Sequence, residues 1–110
     1  MELSPLQMQA VERLFAAGLR PIAIPIYQNA LCLTRGRCGV VLAPVQNGGL
    51  SVVAPPTVLV NGNLGVQLKR SSGDVFVWKK IEMPATPDLL AELEAFRSEV
   101  SSILAEGPNQ

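Results

Sequence analysis

The stretch from Thr57 to Ile81, TVLVNGNLGVQLKRSSGDVFVWKKI, decides the fold. It holds short runs of Val, Leu and aromatic residues broken by turn residues, with no segment long enough for a crossover helix, so its strands join as antiparallel hairpins. Asn61-Gly62 suits a two-residue type I′ turn, because both central positions need positive φ, and this turn sets Val60 opposite Asn63 and Leu59 opposite Leu64. A second turn at Ser72-Gly73 sets Arg70 opposite Val75, Lys69 opposite Phe76, Leu68 opposite Val77 and Gln67 opposite Trp78. Both registers bring Leu59, Leu64, Val66, Leu68, Val75 and Val77 to one face, which is expected to be the core face. The other face carries Val58, Val60, Gln67, Lys69, Phe76, Trp78 and Lys80 and is mixed in character.

Upstream the same grammar continues, with runs at Ile22–Tyr27, Leu31–Thr34, Cys38–Ala43, Leu50–Ala54 and Thr57–Val60. After the Asn61-Gly62 turn it gives runs at Leu64–Arg70 and Val75–Ile81. Pro25, Pro44, Pro55 and Pro56 mark edges, bulges or strand ends, since proline donates no ladder hydrogen bond.

A helix stands on each side of this meander. Ser4 followed by Pro5 reads as an N-cap with proline at the first helical position. Met8, Val11, Leu14 and Phe15 then recur at helical spacing, and Gly18 and Pro21 stop the run, giving a helix over Pro5–Ala17. Thr86-Pro87 repeats the cap. Leu89, Leu93, Phe96, Val100 and Ile103 follow at steps of four and three, widened by Leu90 and Leu104, over Pro87–Ala105. That stripe has the breadth of a core-facing helix and only about two heptads, too few for a sustained coiled coil. Asp88, Glu92, Glu99 and Glu106 form the acidic opposite side.

The expected architecture is therefore α+β: an N-terminal helix, an antiparallel meander of six to seven short strands, and a long C-terminal helix packed on the sheet. A length of 110 residues fits one domain, taken as residues 1–106 with a flexible tail at 107–110. Hydrophobic residues at 48% indicate a folded chain.

Composition restricts the chemistry. The chain has no histidine, which removes Ser-His-Asp and Cys-His nucleophile systems and mixed Cys/His zinc sites. Two cysteines do not complete a four-thiolate zinc site within one chain, and no cofactor or metal is expected. None of the glycine clusters matches a phosphate-cradling motif or leads into a helix. No secretory signal and no apolar run of about 20 residues is present, so a cytoplasmic protein that does not cross a membrane is expected.

Cys32 and Cys38 flank a hairpin tip. A three-residue loop at Thr34–Gly36 would set them opposite each other, as for a cross-strand disulfide; a two-residue turn at Arg35-Gly36 would put them out of register. They read either as buried strand thiols or, with Arg35 and Arg37 lowering a thiol pKa, as reactive cysteines of a small redox protein or enzyme.

Nine basic and nine acidic residues cancel, which disfavours a generally basic nucleic-acid binder. The zero is nevertheless polarised. Arg20, Arg35, Arg37, Lys69, Arg70, Lys79 and Lys80 in the meander face only Asp74, whereas the last thirty residues carry six acids against Arg97. Such polarity draws the C-terminal helix to its own sheet or to a neighbouring molecule. The leading expectation is a non-catalytic binding or assembly module, homodimeric or bound to a partner protein through a sheet face or edge, with Phe76, Trp78, Lys69, Lys80 and Gln67 as the surface. Binding of an anionic ligand or nucleic acid on the basic part of the sheet is a further alternative.

Overall fold

The computed structural model describes residues 2–105, so the tail expected at 107–110 lies outside the described residues. The order is α1 (Pro5–Ala16), β1 (Arg20–Pro21), a 3-10 turn (Pro25–Tyr27), β2 (Leu31–Arg35), β3 (Cys38–Pro44), β4 (Leu50–Val60), β5 (Asn63–Leu64), β6 (Val66–Arg70), β7 (Gly73–Trp78), β8 (Ile81–Pro84) and α2 (Pro87–Ala105). All pairings are antiparallel, in a five-stranded sheet β1-β2-β3-β4-β5 and a three-stranded sheet β6-β7-β8. The fold is α+β, with α2 packed on the sheet. No helix among the described residues is long and apolar enough to cross a membrane.

Both helices cover the same sheet face. Leu33, Cys38, Val40, Leu42, Val58, Val60 and Phe76 meet Leu14 and Leu19 and the α2 stripe Leu89, Leu93, Phe96, Val100 and Ile103 in one core. The far face of the five-stranded sheet has a smaller core, in which Ile24 covers Cys32, Val41 and Ala54 with help from Ile22, Tyr27 and Ala30. Pro25 opens a 3-10 turn over Pro25–Tyr27, so the strand expected over Ile22–Tyr27 does not form, and the short β1 lies just upstream of it at Arg20–Pro21.

Helix α1 starts at the Ser4 cap, where Ser4 Oγ accepts from the Gln7 N–H and Gln7 Oε1 accepts from the Ser4 N–H. Gly18, at φ 95°, ends it in a left-handed cap. The buried positions are Gln7, Ala10, Val11 and Leu14, whereas Met8 and Phe15, expected on the apolar stripe, are exposed. The reason is Gln7. Its amide donates to the carbonyls of Val45, Gly48 and Gly49 at 2.9, 3.0 and 3.2 Å and pins the β3–β4 turn to the start of α1, which fixes the rotation of the helix.

The Asn61-Gly62 turn forms with φ values of 51° and 76°, and Leu59 lies opposite Leu64 and Val60 opposite Asn63, as the sequence indicates. The next hairpin differs. Its turn is Ser71-Ser72, so Arg70 pairs with Gly73, Leu68 with Val75 and Gln67 with Phe76. A shift of two residues keeps each side chain on its face.

Which face is inward is the larger correction. Val58, Val60 and Phe76 are fully buried, while Val66 and Leu68, expected in the core, are 58% and 38% exposed. Both faces of this hairpin carry large apolar residues, the buried one mixed with Gln67, Lys69 and Asp74, so alternation points to the wrong face. Setting the large Phe76 and Trp78 side chains under α2 removes more apolar area from water than setting valines there.

The long runs also divide differently. Leu50–Ala54 and Thr57–Val60 are one strand through Pro55 and Pro56; Leu64–Arg70 splits at Gly65; and Val75–Ile81 is broken by a turn at Lys79-Lys80, where Lys79 has φ 55°.

Candidate functional site

The register of β4 explains why there are two sheets. From the Asn61-Gly62 turn, Val58 falls opposite Gly65, and the Gly65 N–H donates to the Val58 carbonyl at 2.9 Å while Thr57 Oγ1 donates to the Gly65 carbonyl at 2.9 Å. The next hydrogen-bonded position would set Gln67 opposite Pro56, which has no N–H to give. The ladder therefore stops, β4 and β6 part, and β6 pairs on its other side with β7. Gly65 sits at the apex of the split: a Cβ there would lie 2.8 Å from Val60 Cγ2 and 3.0 Å from the Val58 carbonyl.

The split opens a cleft of about 480 Å³. Ala54, Pro55, Pro56 and Thr57 form one bank and Leu64, Gly65, Val66 and Gln67 the other, with Trp78, Leu93, Arg97, Ile26 and Tyr27 completing the lining. Arg97 is the one charged residue of its lining among the described residues, and its ion pair with Glu94 at 2.9 Å is exposed.

Gln67, Lys69, Phe76 and Trp78 of the expected partner surface share the inner face of the three-stranded sheet but lie at different depths. Phe76 is core, Trp78 is half-buried against that core at the cleft, and Gln67 lies on the cleft wall with its amide donating to Asp74 Oδ2 at 3.1 Å. Lys69 is exposed near one end of β6, and Lys80 belongs to a turn rather than to a sheet face. Lys79 sets its ammonium 5.5 Å from the Trp78 ring centroid. Lys69 and the Lys79-Lys80 pair mark opposite ends of the three-stranded sheet, about 17 Å apart at the usual rise of a strand, and form no continuous cationic track.

What sequence reasoning missed is the outer face. Leu68, Val75 and Pro84 form one row across the sheet and Val66, Val77 and Glu82 the next. Its charged residues, Arg70 and Glu82, pair with each other at 3.2 Å. The alternation of Val66, Leu68, Val75 and Val77 carries the signal, and by itself it reads equally as a core face.

Part of the charge polarity is consumed within the chain, through Arg35 and Arg37 on α2 and Arg70 on Glu82. The β2–β3 turn is Gly36-Arg37, with φ 61° at Gly36. The Arg37 N–H donates to Glu92 Oε2 at 2.7 Å, its Nε donates to Oε1 at 2.8 Å, and its guanidinium reaches Asp88 at 3.3 Å. A Cβ on Gly36 would lie 2.6 Å from Glu92 Oε2. Arg35 pairs with Glu99 at 3.4 Å, donates to the Ala17 carbonyl at 3.0 Å and stacks 5.6 Å over Phe96. The backbone and side-chain donors of Arg37 hold the Glu92 carboxyl below its ordinary pKa; the Thr86 hydroxyl, then Arg37, do the same for Asp88.

Neither expected tip geometry for the cysteines occurs. Cys38 lies opposite Arg35 and Cys32 opposite Val41, so the two thiols point into different cores on opposite faces and are free. Burial pushes the Cys32 thiol up, and burial followed by the Glu92 charge pushes Cys38 up to about 11, despite the neighbouring arginines. Thiols so held are protonated at neutral pH, and the thiolate is the nucleophile.

Comparison with known proteins adds no analogy: no family model, no curated protein and no solved structure matches the chain.

Proposed function

We propose that the chain is a non-catalytic binding and assembly module that pairs with a second copy of itself through the outer face of β6-β7-β8. The observation that carries this reading is the exposure of Val66 and Leu68 beside half-buried Val75 and Val77, on a face whose charges neutralise each other. A neutral aliphatic face offers little to an ionic ligand and is complementary to its own copy about a two-fold axis. The buried, protonated thiols speak for a structural rather than a chemical use of Cys32 and Cys38.

The size of the face sets the strength. Three strands about 4.8 Å apart and five residues long project roughly 250 Å², well under the ~800 Å² per partner of a standard interface. Pairing is therefore weak and reversible, populated at high micromolar concentration. Light scattering from about 10 µM to about 1 mM is expected to show the mean mass rising toward that of a dimer, with Leu68→Glu remaining monomeric and Val53→Glu, at an exposed position of β4, pairing like the wild type. A wild-type chain that stays monomeric throughout would exclude the outer face as an assembly surface.

A further inference from the structure

The cleft between the sheets is a separate feature from the outer face, and what it lacks is a strand. In a two-residue hairpin the pair closing the turn is hydrogen-bonded, so Arg70, Leu68 and Val66 exchange bonds with Gly73, Val75 and Val77, and Gln67 and Lys69 turn their N–H and C=O away from β7. The Ala85 N–H donating to the Asp74 carbonyl at 2.9 Å agrees, because Asp74, opposite Lys69, directs its own groups toward the β8 side. Gly65 has the same parity as Gln67 and directs its N–H to β4. The free groups of Gln67 and Lys69 thus point to the side where β4 has departed. Pro55 and Pro56 on the far bank supply no donor to close the gap.

We infer that this edge takes up an extended acidic peptide, which adds as a strand to β6 within the cleft. Backbone groups of Gln67 and Lys69 supply the ladder bonds, the strand-addition mode of recognition. Alternate peptide side chains point inward, where Trp78 and Leu93 offer an apolar seat and Arg97 a cation with no carboxylate among the lining residues. The sequence that fits is an aliphatic residue followed two positions later by a carboxylate. Arg97 is available because its pair with Glu94 is solvent-exposed, and exchanging one exposed carboxylate for another costs little.

Trp78 is the only tryptophan and reports directly on the cleft. The probe is acetyl-Thr-Val-Thr-Glu-Thr-amide, titrated into the full chain at about 1 µM, where the weak outer-face pairing is not populated. Expected is a saturable change in Trp78 emission, weakened by Arg97→Gln and by lysine in place of the peptide glutamate. Strand addition also makes one alternate set of peptide nitrogens face β6. Of two peptides N-methylated on the Val and Glu nitrogens or on the three Thr nitrogens, one binds at least about tenfold more weakly than the other. Equal binding of those two, or no saturable change up to about 1 mM, overturns the inference. A Trp78 change that grows on concentrating the protein without peptide overturns it too, and gives the edge to a second copy.

Discussion

The two sheets use the same strand grammar and reach opposite ends. In the five-stranded sheet β3 is buried on both faces, by α1 and α2 on one side and by the segment from Ile22 to Ala30 on the other. The three-stranded sheet has one covered face. Its β6 is exposed at every residue. The difference lies in which connections return over the sheet: the segment from Ile22 to Ala30, with its 3-10 turn, folds back over the first sheet, whereas each connection in the second is a two-residue turn, and no other segment among the described residues covers the valines. A small chain therefore completes one sheet and leaves the other half finished, and the half-finished one is where a partner gains most.

The strongest way to break this comparison is to truncate the covered face of the second sheet. Phe76→Ala is expected to cost about 3–5 kcal/mol in denaturant unfolding, whereas Val77→Ala on the outer face costs well under half of that. Similar losses at both positions would mean that the inward face is wrongly assigned. Next comes Gln7→Ala, which leaves the carbonyls of Val45, Gly48 and Gly49 without their buried donor; a loss of about 2–3 kcal/mol is expected, with the β3–β4 turn the first element to lose hydrogen-exchange protection.

The clamp between the β2–β3 tip and α2 gives the next effect, a pH dependence with two flanks. Glu92 and Asp88 have folded pKa values below their ordinary 4.5 and 3.8, so their stabilisation is present above those values and is lost as pH falls through the lower folded ones. Cys38 works in the other sense. Its folded pKa of about 11 lies above the ordinary 9.0, so its contribution is full below pH 9.0 and is lost as pH rises toward about 11. Unfolding midpoints measured across this range should flatten at the acid end in Glu92→Gln and at the alkaline end in Cys38→Ala. An unchanged acid flank in the first variant would show that the clamp does not couple to folding.

The smallest effect on stability belongs to the surface with the largest role in binding. Leu68→Thr keeps a good strand former, and its expected change in folding stability is within about 0.5 kcal/mol, while concentration-dependent pairing is lost. A large loss of stability there would place Leu68 in a core instead of on a free face.

Much of this was legible in the residues. The C-terminal helix is bounded by Thr86-Pro87, and its stripe from Leu89 to Ile103 is buried as its spacing indicates. The Asn61-Gly62 turn fixes its own register because both positions demand positive φ. What was not legible has physical reasons. Lys79 adopts a left-handed turn without being Gly, Asn or Asp, so the break between β7 and β8 carries no residue signal. Alternation was misleading about the inward face of the second sheet, since Val66, Leu68, Val75 and Val77 are more uniformly apolar than the side that is buried, whose Phe76 and Trp78 stand beside Gln67 and Lys69. The cleft was the nearest miss. Counting back from Asn61-Gly62 sets Pro56 opposite Gln67 in the sequence itself, and only the assumption that Leu64–Arg70 formed one unbroken strand concealed that the ladder had to stop there.

The central claim is that β6 loses β4 at Gly65 and keeps a free edge at Gln67 and Lys69. Amide hydrogen exchange of the dilute chain, read residue by residue, tests it. The amides of Val66, Leu68 and Arg70, bonded to β7, should be protected, and those of Gln67 and Lys69 should exchange near the rate of an open strand, at least about tenfold faster. Uniform protection from Val66 to Arg70 would contradict the account, because it would mean that the edge is already paired.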